Sequence, residues 1–308
     1  MSVDGTAQRV HLLQAAHTKG RTLAKAITQS RPTKKPKLGQ NFLVDHDALQ
    51  RIVSALGDIS TKTVVEIGPG RAALTDLLAR RAGRLMAIEL DRVLAAQLRM
   101  RFAQMPNVEI LEADILTVDF RTMLGSRPGP LRDLRPTDKL KADVVGNLPY
   151  YITSDILLRL FSLHDRIETM VLMMQLEVAD RVAAKPGTSD YGLLSATAQL
   201  YARVEKLFTL PPEAFNPPPK VHSAVLRLSV APRFEELQVE ETAFIAFLRL
   251  LFAQKRKTLA NNLRGVYPSA VVQGAMKKLH IAADVRAEAL PLEKTAALFR
   301  LLGPAPRD

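Results

Sequence analysis

Thr63-Val-Val-Glu-Ile-Gly-Pro-Gly-Arg-Ala-Ala73 decides the fold. Its apolar half, Thr63 to Ile67, is β-branched and does not alternate with polar residues, the mark of a strand buried on both faces of a parallel sheet. Two glycines, Gly68 and Gly70, then give way to a helical pattern from Ala72 to Arg81. Glycines between a strand and a helix make a tight turn where backbone can approach a ligand closely.

Working outward, the same alternation repeats. Arg84–Glu89 reads as a second strand, Asp91 to about Phe102 as a helix started by Asp91, Val108–Leu111 as a third strand and Ala142–Val145 as a fourth. Thr153 or Ser154 can cap a helix carrying Ile156, Leu157, Leu160 and Phe161 at helical spacing. Thr169–Met174 is a fifth strand, Glu177–Ala184 a helix, and Ala224–Leu228 the last strand. Strands alternating with helices predict an α/β, Rossmann-like sheet. After Pro211-Pro212 and Pro217-Pro218-Pro219 the pattern turns purely helical from Glu241 to Leu302, which predicts a small all-helical C-terminal domain. The expected organisation is a flexible basic arm over 1–36, a Rossmann-like domain over 37–231 and helices over 232–308. Leu124 to Thr137, with Gly125, Pro128, Gly129, Pro130 and Pro136, reads as a loop insertion.

The turn fits G-x-G-x-x-A, so a dinucleotide is one candidate ligand. Glu89, about 20 residues on at the end of the second strand, can accept hydrogen bonds from ribose hydroxyls, which NAD and S-adenosylmethionine share. Two further carboxylates favour the second. Glu66 points a negative charge at the loop, unwelcome to a pyrophosphate but not to a cationic ligand. Asp114, just after the third strand, can accept from an adenine amino group, or it can simply start the next turn.

Asn147-Leu148-Pro149-Tyr150 follows the fourth strand, at the carboxyl edge where open α/β sheets place their chemistry. An aromatic amino nitrogen is a poor nucleophile because its lone pair is delocalised. If the Asn147 side-chain oxygen and the Leu148 carbonyl accept its hydrogens, the lone pair can be aimed at an activated methyl group. Pro149 stiffens the turn, and Tyr150, with Tyr151, offers a face for an extruded base. Positioning of this kind requires no metal.

Bulk properties agree. The 308 residues carry 43 Lys+Arg against 31 Asp+Glu, a formal charge of +12, which favours a polyanionic partner. There is no cysteine and no apolar run near the ~20 residues of a membrane helix, so the expectation is a cytoplasmic protein with no membrane association. The basic, acid-poor stretch 1–36 reads as an RNA-contacting arm, with a targeting peptide as the alternative.

Seven stretches together resemble one family, the KsgA-type (RsmA) ribosomal RNA small-subunit adenine dimethyltransferases: Leu38–Leu43, Glu66–Gly70, Glu89–Asp91, Asn147–Tyr150, Tyr191–Ser195, Phe215–Val221 and Gln254–Leu259. The resemblance implies a class I S-adenosylmethionine methyltransferase fold and dimethylation of N6 in two adjacent adenosines of a hairpin near the 3′ end of 16S rRNA. The implied partner is the immature small ribosomal subunit, and the chain is expected to be monomeric. By the same resemblance Asn41 and Leu43 contact the methionine end of the cofactor, Gly68 belongs to its glycine loop, Glu89 meets the ribose, Asp114 the adenine, and Asn147 the catalytic region; Glu66 and Gly70 join this set. Phe215, Lys220, Lys255, Arg256 and Lys257 are the RNA-binding candidates. The rival readings are a 23S rRNA adenine methyltransferase of the macrolide-resistance class, an NAD-dependent oxidoreductase, and a binding protein that retains a degenerate methyltransferase fold.

Overall fold

The computed structural model describes residues 41–125 and 140–305. The expected arm over 1–36 and all of the expected insertion beyond Gly125 lie outside the described residues.

Nine strands are present among them: β1 Phe42–Leu43, β2 Thr63–Ile67, β3 Arg84–Glu89, β4 Val108–Glu112, β5 Ala142–Asn147, β6 Ile167–Gln175, β7 Ala202–Leu210, β8 Phe215–Asn216 and β9 Ser223–Val230. Seven form one sheet in the order β4-β3-β2-β5-β6-β9-β7. The neighbours from β4 to β6 are parallel, while β9 runs antiparallel to both β6 and β7. β2 is central, with Val65 opposite Met86 on one side and Val144 on the other. Its Val64, Val65, Glu66 and Ile67 are all buried, so both faces of the strand are covered and apolar residues do not alternate with polar ones along it. Strand order reverses between β2 and β5, which places a crevice beyond their carboxyl ends. Gly68 and Asn147 both stand at that edge.

All the strands expected from the sequence are present, and several elements join them that local pattern does not mark. β7 and the helix Leu193–Tyr201 before it have no turn residues between them, so no punctuation signals the change from helix to strand. β1 and β8 are two residues each and pair only with one another, Phe42 opposite Asn216 and Leu43 opposite Phe215. The expected helix from Ala72 to Arg81 contracts to Thr75–Leu78, because Ala72 takes φ +73° and keeps the chain in a turn. Asp91 caps the helix Arg92–Arg101 as expected, its Oδ1 accepting from the Val93 and Leu94 amides at 2.8 and 3.1 Å. Neither Thr153 nor Ser154 caps the helix Thr153–Phe161. Ile152 occupies the cap, and the Thr153 hydroxyl instead donates back to the Pro149 carbonyl at 3.0 Å.

Apolar side chains fill both faces of the sheet. On one face the core is continuous from Met170 and Leu172 of β6 through Leu200 to Phe244, Phe247 and Phe299 of the C-terminal helices. Phe244 and Phe247 stand 5.4 and 5.3 Å, centroid to centroid, from the Phe299 ring. Among the described residues no helix is long and apolar enough to cross a membrane.

Candidate active site

Gly68 and Gly70 have φ of +67° and +57°, the left-handed region that favours glycine. At Gly70 a second constraint operates: an added Cβ would lie 2.8 Å from a Phe42 ring carbon. Glu89 fastens this loop from the end of β3. Its Oε2 accepts from the buried Gly70 amide at 3.1 Å and its Oε1 from the Asp91 amide at 2.9 Å. Each oxygen keeps a lone pair for another donor. Asp114 is used in the same way, its Oδ1 accepting from the Leu116 amide at 2.9 Å, so the turn-forming role is real and still leaves the second oxygen available.

Glu66 is buried, and its Oε2 has no hydrogen-bond partner among the described residues. Burial pushes its pKa up to about 8, with Thr75 opposing and the Glu89 charge adding to the rise. Burial thus favours the protonated form of this carboxyl. Selection against a pyrophosphate does not rest on a standing charge; the group is one that an arriving cation would ionise.

At the end of β5 the Asn147 side chain donates through Nδ2 to the Asn41 backbone carbonyl at 3.0 Å. A carbonyl accepts and cannot donate, so this contact fixes which end of the amide is which. The other end, Oδ1, is buried without a partner among the described residues. A buried acceptor left unmatched costs stability, and such atoms concentrate where a ligand supplies the missing donor. Leu148 is buried and its amide donates to the Met173 carbonyl at 2.9 Å, which anchors the loop to β6. The Pro149 carbonyl accepts from Ile152 N–H as well as from Thr153. The Tyr150 hydroxyl lies 2.7 Å from Ser223 Oγ at the start of β9, and burial holds its pKa above the usual phenol value. Tyr151 is exposed.

The segment Asn41–Leu43 lies against both loops. Asn41 reaches Asn147, the Phe42 ring covers Gly70, and the Arg71 guanidinium sits over that ring at 4.5 Å from its centroid. Leu43 is buried. Asn41, Gly68, Gly70 and Glu89 are thus linked to Asn147 through these contacts and the β2/β5 edge, with Glu66 buried beneath the loop. The fit to a nucleoside-bearing cationic cofactor rests on the glycine cradle and on the Glu66 oxygen that has no partner among the described residues.

The RNA-binding candidates separate. Phe215 is 3% exposed and belongs to the core beside Leu43, so it supports the loop and offers no surface to RNA. Lys220 is exposed on the wall of a cleft of about 450 Å³ that Gln175, Glu177, Val221 and His222 also line. Lys255, Arg256 and Lys257 are exposed in a turn between two helices, not on a helix face, and Lys255 Nζ donates to the Ser189 carbonyl at 2.6 Å. Sequence reasoning missed Ser223, and it missed the parts played by Phe42, held only as a member of the Leu38–Leu43 stretch, and by Thr153, read as a helix cap. Only the spatial neighbours of these residues reveal their parts, since neither a stretch of sequence nor a lone Thr or Ser says what a side chain touches.

This chain is similar to several known proteins. Koribacter versatilis has a protein named ribosomal RNA small subunit methyltransferase A that is 64% identical over 277 residues, covering 90% of this chain and 97% of that protein. The protein of the same name from Acidobacterium capsulatum is 58% identical, covering 87% and 91%. Two solved structures share the fold: a dimethyladenosine transferase from Plasmodium falciparum (TM-score 0.70, 24% identity, 84% of this chain and 96% of that one) and the 23S rRNA methyltransferase ErmE (TM-score 0.62, 28% identity, 85% and 99%). A family model described as ribosomal RNA adenine dimethylase matches residues 31–303. The chain belongs to the ribosomal RNA adenine dimethylase family.

Proposed function

We propose that this protein uses S-adenosylmethionine to dimethylate N6 of two adjacent adenosines in a hairpin near the 3′ end of 16S rRNA, in the cytoplasm, as a monomer acting on the immature small subunit. One observation carries the chemistry: the Asn147 amide is held by Asn41 with its Oδ1 buried and, among the described residues, unpaired at the carboxyl edge of β5.

Asn41, Leu43, Glu66, Gly68, Gly70, Glu89 and Asp114 would hold the cofactor. When bound it supplies a methyl group on a sulfonium, already activated for transfer to a nucleophile. The chain's own task is to make an adenine amino group nucleophilic. Asn147 Oδ1 and the Leu148 carbonyl accept its two hydrogens, which draws the nitrogen toward tetrahedral geometry and frees its lone pair. Pro149 keeps the two acceptors in fixed relation, reinforced by the Thr153 bond to its carbonyl. Tyr150, pinned by Ser223, presents a ring against which an extruded base can stack. Transfer of the methyl from sulfur to nitrogen would leave the amino group positively charged, and its proton would then be lost to water, because the Asn147 and Leu148 oxygens accept a hydrogen bond but are too weakly basic to keep the proton.

Asn147→Ala tests this. Methyl transfer to small subunits that lack the modification should fall by about 10²-fold or more, while the cofactor dissociation constant, measured by calorimetry, stays within about threefold. A wild-type rate would sink the mechanism. The likeness to ErmE keeps a 23S target as the second reading. Mapping dimethyladenosine in cells lacking the gene separates the two: loss from 16S rRNA supports the first, loss from 23S rRNA the second.

A further inference from the structure

The segment Asn41–Leu43 touches both the glycine loop and the loop that begins at Asn147. The Asn41 carbonyl just before β1 accepts from the Asn147 side chain. One residue on, the Phe42 ring lies so close to Gly70 that a Cβ added there would stand 2.8 Å from it and the ring would have to shift, and the Arg71 guanidinium sits over the ring at 4.5 Å. Phe42 and Leu43 pair with Asn216 and Phe215, so β1 is also joined to the loop that leads to Lys220. The neighbouring Val44 and Asp45 amides both donate to the Ala214 carbonyl, at 2.9 and 3.3 Å. These bonds extend the tie beyond the two paired residues.

We propose that Phe42 is a positioning residue for methyl transfer: clamped between Gly70 and Arg71, it sets the place of the Asn41 carbonyl and thereby the orientation of the Asn147 amide. Asn147 Oδ1 is useful only if the amide is not free to turn over, and the acceptor that holds Nδ2 is the Asn41 carbonyl. That acceptor adjoins a two-residue strand, too short to be stable alone. Its location therefore depends on what grips the strand from the sides. The ring packed on Gly70 and under Arg71 supplies one grip, the pairing with β8 the other. Gly70 is in turn held by Glu89, so the orientation of the catalytic amide is tied through Phe42 to the cofactor loop. On this geometry Gly70 is needed for two reasons, its positive φ and the space for the Phe42 ring.

This inference rests on Asn147 being the acceptor for the amino group, and it is tested on a separate observable. The side-chain NH₂ of Asn147 can be assigned in an amide correlation spectrum by its loss in Asn147→Ala. In the wild-type protein the hydrogen facing Asn41 should exchange slowly with solvent. In Phe42→Ala its protection should be lost, and kcat should fall about 10- to 100-fold with the RNA KM within about threefold, as expected for misplacement of a reacting contact. Phe42→Tyr, which keeps the ring, should restore both. Arg71→Met leaves the ring in place and serves if Phe42→Ala does not fold; it should give an intermediate loss of protection and of kcat. Wild-type kcat in Phe42→Ala, or an unchanged Asn147 side-chain signal accompanying a lower kcat, overturns the proposal. The spectrum reads the tie between β1 and Asn147 without any turnover, so failure of the clamp is distinguishable from failure of the chemistry assigned to Asn147.

Discussion

Glu66 and Gly70 show how much single residues carry here. Glu66 titrates at about 8 in the folded chain against an ordinary value of 4.5, so between these limits the native state holds a proton that the unfolded chain gives up. Its contribution to stability is complete below about pH 4.5 and is lost as pH rises through about 8. Glu66→Gln should therefore melt near the wild-type temperature at about pH 5 and above it at about pH 9, as read by thermal unfolding at the two values. An equal difference at both would exclude the burial argument. Gly70→Ala should weaken cofactor binding by about tenfold or more, since left-handed backbone costs a non-glycine residue about 1–2 kcal/mol and the new Cβ meets the Phe42 ring. Calorimetric titration of the folded variant measures this.

At the scale of elements, the catalytic loop is held at both ends by side chains that no motif includes. Thr153 bonds the Pro149 carbonyl from the first turn of its helix, and Ser223 bonds Tyr150 from the first residue of β9. Ser223→Ala removes a bond between partly buried hydroxyls, and should lower kcat about tenfold with a loss of stability of about 1 kcal/mol. Steady-state kinetics beside chemical denaturation checks both, and an unchanged kcat would mean that Tyr150 does not need its anchor. The elements themselves were unequally legible. β2, β3 and β5 stand out in the sequence because strands buried on both faces must be continuously apolar. β1 and β8 cannot, since a two-residue strand has no period to read, and β7 follows its helix without a glycine or proline to mark the change.

Across the whole molecule the C-terminal helices share one core with a face of the sheet. Phe247 is buried among Phe244, Tyr267 and Phe299, so Phe247→Ala should cost about 3–5 kcal/mol, measured by denaturant unfolding. The turn bearing Lys255, Arg256 and Lys257 projects from these helices with all three side chains exposed. Replacing the three with glutamine should lower the slope of log affinity against log salt for RNA by about two to three, if each neutralises a phosphate, without changing the melting temperature. An unchanged slope would make the turn a merely solvated one.

The sequence by itself determined the parallel sheet, the glycine loop after its central strand, and the place of Asn147-Leu148-Pro149-Tyr150 after β5. Each of these is written in local pattern, in apolar runs and turn residues a few positions apart. Only the tertiary structure decided which groups surround the amide. Asn41 and Asn147 are 106 positions apart, and Tyr150 and Ser223 are 73 apart. It also withdrew Phe215 from the surface and set Glu66 near neutrality, because burial is a property of everything that packs around a residue and not of the residues beside it in the chain.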